Sequence, residues 1–279
     1  MSEAGYYMGC YITRNRKARE LKFDLHLFDV KKTTRIPAAS GVPTLSKAEE
    51  PRNPKEKEEM KKFPYREAVG ALMWKATMTR PDIACAVRAV ARFCENPRPA
   101  HKKVVMKIFQ YLLHTKEWGT TYGGQGCGLG IEAYTDSDFR ACLDTRRSVS
   151  GAVLVLAKEA ISWHSRMQEV TASGTSEESF NAWEYVALSE VVKDAQRLRQ
   201  VQEFIEPSMR VGVVNVFEGD EGATKLTINK NASRRTRHID VKHYLVSDAS
   251  NAQRVRVAYV RSEDQHVDLL TKPLDVQKF

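Results

Sequence analysis

The stretch YTDSDFRACLDTRRSVSGAVLVL, residues 134–156, places two aspartates, Asp136 and Asp138, at the end of a run with strand character. Residues two apart in a strand point to the same side of the sheet. Two carboxylates on one face repel each other, which costs free energy unless a positive group or ion binds there. The stretch therefore leaves two alternatives, a metal-binding sheet edge or a solvated strand end.

Outward from this stretch, the chain alternates between strand and helix patterns from residue 131 onward. The predicted strands are IEAYTDS, SVSGAVLVLA, AISWHS, VGVVNVF and VRVAYV. The first three are close enough to form an antiparallel meander, and VGVVNVF is apolar throughout, as a buried central strand should be. A long helix over residues 176–204 carries an apolar stripe that includes Phe180, Ala187, Val191, Ala195 and Leu198. The pattern predicts an α/β fold, a mixed five-stranded sheet flanked by helices.

Upstream of residue 131 the chain has a different character. Residues 1–30 contain two β-prone runs around a polar RNRKAR turn, which predicts a hairpin. Residues 31–63 combine prolines with dense mixed charge, which predicts a linker. Residues 64–124 show helical periodicity. A glycine-rich break over residues 123–130 marks the boundary to a second domain over residues 130–279, and it lacks the Gly-Lys-Ser/Thr ending of a phosphate-binding loop.

The bulk composition restricts the function classes. The chain has 279 residues and a formal net charge of +9, which favours a polyanionic partner such as nucleic acid. Its five cysteines are scattered without a C-x-x-C pair, which argues against a disulfide framework and against a zinc site. We expect no signal peptide and no membrane span, because the sequence has no apolar run of the required length.

Several motifs then identify a family. The segments YREAVGALMWKATMTRPDIACAVRAVARF, YTDSDFRACLDTRRSVSGAVL, AISWHS, EYVALSE, SRRTRHIDVKHY and EDQHVDLLTKPL occur in this order. They resemble the C-terminal part of copia-type LTR-retrotransposon polyproteins, which is the end of the reverse transcriptase followed by the ribonuclease H domain. The resemblance implies a ribonuclease H-like sheet, preceded by a mostly helical connection remnant of the reverse transcriptase.

The resemblance also implies a chemistry. Ribonuclease H cleaves the RNA strand of an RNA/DNA hybrid with two Mg²⁺ ions held by acidic residues, and Mn²⁺ is an alternative ion. We therefore expect nucleic acid as the partner, with neither a small-molecule substrate nor a membrane. The polymerase palm of the family would lie upstream of residue 1, so no DNA polymerisation is expected.

The four family ligands match this sequence unequally. Asp136 in YTDSD and Asp268 in QHVDLLTKPL match the first and last aspartates, and both are expected to bind metal and to be catalytic. The family's helix motif, aligned on EYVALSE, places the ligand position at Ala182. Glu184 is then expected to face away, because two residues rotate a helix by about 200°. Glu178, one turn before Ala182, is the candidate replacement.

The remaining ligand lies at the end of the fourth strand of the domain. In FEGDEGA the family's aspartate position holds Gly219, and Asp220 follows one residue later. A shift of one residue along a strand moves a side chain to the opposite face. Asp220 is therefore a candidate only if the strand ends at Glu218 and a turn redirects it toward the site.

A basic segment supplies the candidate nucleic-acid contacts. Arg234, Arg235, Arg237 and Lys242 are expected to contact the phosphates of the hybrid by charge, and a solvated helix face is the alternative. His238 and His243 suggest zinc, but no cysteine lies at a suitable spacing.

Two functions from different classes follow. The first is Mg²⁺-dependent cleavage of RNA in hybrids, impaired here because two of the four ligand positions are altered. The second is a catalytically inactive relic that still binds nucleic acid. The replicative ancestry implies a cytoplasmic location, with the nucleus as the alternative.

Overall fold

The structure is a computed structural model that describes residues 3–7, 10–15, 20–24, 30, 32–38, 45–46, 54–120, 130–138, 142–169, 177–208, 212–228 and 237–274. For residues 3–24, 57, 59, 177–182, 226–228 and 237–243 the description covers the backbone alone. The chain divides into two compact units, Met1–Gly119 with Leu274–Phe279, and Thr120–Pro273. Within the described residues, no helix combines the length and apolar character needed to cross a membrane.

The first unit begins with a small antiparallel sheet in the order β1-β2-β3. Its strands are β1 (Glu3–Tyr7), β2 (Cys10–Asn15) and β3 (Glu20–Asp24). The predicted hairpin corresponds to β2 and β3, whose register pairs Asn15 with Glu20. The sequence treats the run before the turn as one strand, whereas the structure pairs β1 with β2 as a further hairpin.

The described part of the first unit continues with four α-helices: α1 (Pro54–Lys62), α2 (Tyr65–Met78), α3 (Ala84–Ala91) and α4 (Pro99–His114). The prediction of a linker over residues 31–63 misses α1. Proline fits the first helical position, and the Lys-Glu run that follows it consists of good helix formers. Met60 of α1 and Leu45 are both buried in the core of this unit, so this part of the chain packs instead of only connecting.

A buried ion pair lies in the connection between α2 and α3 and contacts the C-terminal end of α4. Arg80 is 5% exposed and donates to Asp82 Oδ2 at 2.6 Å, and Tyr111 donates to the same oxygen at 2.6 Å. Arg80 also donates to the carbonyl and hydroxyl oxygens of Thr115. The guanidinium is therefore paired on several sides, which a buried charge requires.

The second unit contains the predicted mixed five-stranded sheet, in the order β6-β5-β4-β7-β8. Its strands are β4 (Ile131–Asp138), β5 (Val149–Leu156), β6 (Glu159–Met167), β7 (Val214–Glu218) and β8 (Val255–Tyr259). The first three pair antiparallel, while β7 is parallel to β4 and to β8. The expected meander and the expected fold class are confirmed.

Helices cover both faces of this sheet: α5 (Glu177–Ile205), α6 (Glu221–Ile228), α7 (Arg237–Asn251) and α8 (Asp268–Thr271). Helix α5 shares a buried core with alternate residues of β4, β5 and β7, among them Ala133, Ala152 and Val216. Helix α8 lies against Gly151, which alternates with Ala152 along β5 and therefore faces the other side of the sheet. Helix α6 is absent from the sequence prediction.

Candidate active site

Asp136 lies where the central strand continues beyond its parallel neighbour. The pairing of β4 with β7 ends at Thr135 and Glu218, while the pairing of β4 with β5 continues to Asp138. Asp136 is 9% exposed, and burial raises the pKa of its carboxyl, whereas the charge of Lys272 lowers it. The carboxylate at this strand end is therefore held largely away from water.

Asp268 reaches the same place from the opposite end of the domain's sequence. It is the first residue of α8 and is 7% exposed. Thr271, on the same helix, donates its hydroxyl to Asp136 Oδ2 at 2.6 Å. The two aspartates that the motifs single out therefore belong to one site, and Thr271 fixes the orientation of one of them.

Glu184 also belongs to this site, and the expectation that it faces away is wrong. It is 2% exposed, and burial, followed by the charges of Glu218 and Asp136, raises its pKa well above the ordinary value. The physical reason lies in the helix period: Glu184 is four residues before Leu188 and seven before Val191, which both face the sheet core. The apolar stripe of the sequence already contained this signal.

Glu218 is a buried acid that the motifs of the sequence do not single out as a site residue. It is 0% exposed, and burial, followed by the charge of Asp136, raises its pKa well above the ordinary value. Its Oε1 accepts from the backbone N–H of Gly219 at 2.9 Å, while Oε2 has no hydrogen-bond partner. The alternation along β7, with Val214 and Val216 buried on the same side, is the pattern that predicts its inward position.

Gly219 lies beside Asp136 at the strand end. A β-carbon built on Gly219 would lie 3.4 Å from Asp136 Oδ1. The aspartate that the family carries at this position would therefore project beside Asp136, and this chain lacks it.

Asp220 directly precedes helix α6, and its charge adds to the raised pKa values of Glu184 and Glu218. Its Oδ1 accepts the backbone N–H of Ala223 at 2.6 Å, which is the geometry of an N-cap. The strand does end at Glu218, as the prediction required, and the turn uses one carboxylate oxygen of Asp220 to cap the helix start. The short helix that follows is the feature that the sequence pattern does not predict.

Substitutions at Asp220 can distinguish a role as a helix cap from a role as a metal ligand. We expect Asp220→Ala to lower the free energy of unfolding by about 1 kcal/mol, because the N–H of Ala223 loses its acceptor. Asp220→Asn keeps a capping oxygen and is expected to change both stability and hybrid cleavage little. Urea unfolding and a cleavage assay of both variants test this. A loss of cleavage in Asp220→Asn as complete as in Asp136→Asn would show that Asp220 is a ligand after all.

The buried acids predict a specific pH dependence of the metal-free protein. Glu184 and Glu218 have raised pKa values in the folded state, so the native state binds more protons than the unfolded state above the ordinary value of 4.5. Their stabilising contribution is present below that pH and is lost as the pH rises through the folded pKa values. We expect urea unfolding in chelator to show lower stability at about pH 8 than at about pH 5. Glu218→Gln should weaken this dependence; an unchanged slope would contradict the assignment.

Lys272 is the cation that faces these acids. Its Nζ lies 2.8 Å from Asp268 Oδ1 and 3.8 Å from Asp136 Oδ2. Burial lowers its pKa, but the charges of Asp136 and Asp268 raise it by more. The ammonium therefore neutralises part of the acidic cluster.

Several other predicted residues cannot be placed at the site. The side chain of Glu178 lies outside the described residues, although its backbone belongs to α5. Arg234 and Arg235 also lie outside them. For Arg237 and Lys242, which belong to α7, the description covers the backbone alone.

The chemistry of the cluster fits a hard divalent cation. Its donors are carboxylate oxygens, which Mg²⁺ and Mn²⁺ prefer. Glu184 Oε2 and Glu218 Oε2 are buried without a hydrogen-bond partner, a state that an ion would relieve. Within the described part of the chain, however, no three His, Cys, Asp or Glu side chains are already arranged around a common ion position. Binding an ion therefore requires a rearrangement of side chains at this site.

Comparison with known proteins adds relatives along the whole chain. The retrovirus-related Pol polyprotein from transposon TNT 1-94 of Nicotiana tabacum is 32% identical over an alignment of 289 residues. This alignment covers 100% of this chain and 21% of that polyprotein. The polyprotein from transposon RE1 of Arabidopsis thaliana is 30% identical and covers 77% of this chain and 14% of its own length. The chain thus spans about a fifth or less of these polyproteins.

Other similarities cover half of the chain. The secreted RxLR effector protein 161 of Plasmopara viticola is 35% identical over 136 residues, which cover 49% of this chain and 92% of that protein. Among solved structures, LC11-RNase H1 in complex with an RNA/DNA hybrid is 17% identical, covering 50% of this chain and 93% of that chain with a TM-score of 0.36. No family model matches the chain.

The polyprotein relatives agree with the motifs of the sequence. The homologues of this chain are therefore Pol polyproteins of copia-type retrotransposons, and the chain is consistent with their C-terminal part, the end of the reverse transcriptase followed by the ribonuclease H-like domain.

Proposed function

We propose that this chain is a ribonuclease H that cleaves the RNA strand of RNA/DNA hybrids with a divalent cation, and that its cleavage is impaired. One observation carries the proposal: Asp136, Glu184 and Asp268 are buried acids close to one strand end, while Gly219 leaves the fourth position without a carboxylate. The sequence predicts two altered positions, whereas the burial and charge environment of Glu184 support only one, which favours weak activity over none.

The protein's own groups divide the work as follows. Asp136, Glu184 and Asp268 would hold the ion, and the hydroxyl of Thr271 keeps Asp136 oriented at 2.6 Å. A bound divalent ion supplies Lewis-acid stabilisation of the charge that develops on the scissile phosphate. Without a carboxylate at residue 219, fewer ligands restrain the ion, and loosely held ions catalyse poorly because the ligand geometry must be held to within about 0.5 Å.

Binding of the hybrid rests on charge. The net charge of +9 favours a polyanion, and the segment that contains Arg234, Arg235, Arg237 and Lys242 would contact phosphates of the hybrid. This contribution predicts binding that weakens steeply with salt and depends little on nucleotide sequence.

Cleavage of a labelled RNA/DNA hybrid by purified protein with Mg²⁺ or Mn²⁺ tests the proposal. We expect slow cutting of the RNA strand that disappears in Asp136→Asn, while hybrid binding persists in that variant. Binding without any cutting by the folded protein would instead establish the alternative function, an inactive relic that retains its nucleic acid partner. Absence of both binding and cutting would overturn both functions.

A further inference from the structure

One lysine side chain reaches both aspartates of the candidate active site. Lys272 follows α8 directly, four residues after Asp268, and its Nζ lies 2.8 Å from Asp268 and 3.8 Å from Asp136. The side chains of these aspartates are only 11% and 12% exposed, whereas that of Lys272 is 41% exposed. The lysine therefore extends from the solvent side onto two acids that are largely withdrawn from water.

The ammonium of Lys272 lies where the two aspartates need a nearby positive charge. Carboxylates that are shielded from water and close to each other are destabilised unless a positive charge is near. Within the described residues, no three ligand side chains already surround a common ion position. Lys272 neutralises Asp136 and Asp268 in this arrangement, and its long flexible side chain allows it to leave again.

We propose that Lys272 is a built-in counter-ion that competes with divalent cations for Asp136 and Asp268. This inference rests on the proposed function, because it concerns the same carboxylates. Lys272 is a positioning residue in this account: it holds the acids together without metal, and it must withdraw when the ion binds. The chain would then bind divalent cations more weakly than its carboxylates alone would allow.

If Lys272 formed only a structural ion pair, its substitution would have a different result. Loss of a structural pair would lower stability and leave the affinity for divalent ions unchanged or lower. Loss of a competing counter-ion raises that affinity, because a positive charge near the incoming ion disappears. Metal affinity therefore separates the two roles, and it can be measured without any cleavage assay.

The experiment titrates the full chain with Mn²⁺ and follows free Mn²⁺ by electron paramagnetic resonance. We expect Lys272→Gln to bind Mn²⁺ about tenfold more tightly than the natural chain, because Coulomb repulsion by a charge at this distance is removed. Lys272→Arg, which keeps the charge, and Lys61→Gln should bind like the natural chain. Lys61 is a matched control, since its Nζ pairs with Glu58 Oε2 at 3.1 Å on an exposed helix in the first unit. Asp136→Asn added to Lys272→Gln should remove the tighter binding.

Equal or weaker Mn²⁺ binding by Lys272→Gln would overturn the inference. If that variant does not fold in chelator, Lys272→Met keeps the length of the apolar stem and is judged by the same criterion. Hybrid cleavage by the natural chain tests the proposed function separately. Tighter Mn²⁺ binding by Lys272→Gln without cleavage by the natural chain would support the counter-ion role of Lys272 and reject the proposed nuclease function. Cleavage without tighter Mn²⁺ binding would support the nuclease function and reject the counter-ion role.

Discussion

Gly219→Asp is expected to raise the rate of hybrid cleavage by about 10- to 100-fold, which is comparable to the effect of losing a group that hydrogen-bonds to a metal ligand. The reason is geometric: the β-carbon of residue 219 would lie 3.4 Å from Asp136 Oδ1, so a carboxylate there joins Asp136 at the strand end. A further charged oxygen donor tightens binding of a hard cation and restrains its position.

The backbone and the surroundings accept this substitution. Gly219 does not lie in the left-handed region, so an aspartate adds no backbone strain. The nearest obstacle is Gln265 Nε2, 3.0 Å from the new β-carbon, which must move by a few tenths of an ångström. Gln265 donates to the carbonyl of Thr135 at 2.9 Å, and an amide at the end of a flexible side chain can adjust while it keeps that bond.

Gly219→Asn is the matched control, because it has nearly the same shape but lacks the charge. Cleavage rates of both variants are measured with saturating Mg²⁺ and the same labelled hybrid, together with hybrid binding. A gain in Gly219→Asp that Gly219→Asn does not share supports the missing ligand. An equal change in both variants, or none in either, would show that the absent carboxylate does not limit the reaction.

The positions of two aspartates could be predicted from the sequence, because each follows from a local pattern. Asp136 ends an apolar strand run, and Asp268 lies in a distinctive motif near the end of the domain. The five strands were also predictable from their alternating or continuously apolar runs. These features depend on neighbours within a few residues, which the sequence shows directly.

Glu184 was assigned wrongly for a different reason. The alignment to a family motif fixed the ligand at Ala182, and the helix rotation then excluded Glu184. The apolar stripe through Ala187, Val191 and Ala195 predicts the correct orientation. Glu184 lies three, seven and eleven positions before these residues, and these spacings place it on the helix face that packs on the sheet. Helical periodicity was more informative here than the motif.

Other features of the site depend on contacts that the sequence does not show. Lys272 meets Asp136 across 136 residues of chain separation, and Thr271 meets it across 135. The role of Asp220 as a helix cap depends on α6, an eight-residue helix with little apolar periodicity. Gly151 is a similar case, because glycine is needed there only on account of helix α8, which packs against it.

Gly151→Ala is expected to destabilise the second unit by about 1–3 kcal/mol, the usual cost of adding atoms to a packed core. A β-carbon at this position would lie 2.7 Å from Thr271 Cγ2, 2.8 Å from Val267 Cγ1 and 3.0 Å from Leu270 Cβ. Such distances cannot persist, and the β-carbon of Leu270 is fixed to the helix backbone. Relief therefore requires α8 to move away from β5 as a body.

This movement should also reduce cleavage, because α8 carries Asp268 and Thr271 while Gly151 pairs with Asp136 across the sheet. A displacement of about 1 Å in a catalytic arrangement can reduce the rate by about 100-fold. Gly130→Ala is the matched control, since no atom lies within 4 Å of its added β-carbon. Urea unfolding and hybrid cleavage of both variants measure the two effects. Full stability and full cleavage in Gly151→Ala would show that the approach of α8 to β5 is not needed to hold Asp268 in the site, and that the acids are positioned by the strands and α5 alone.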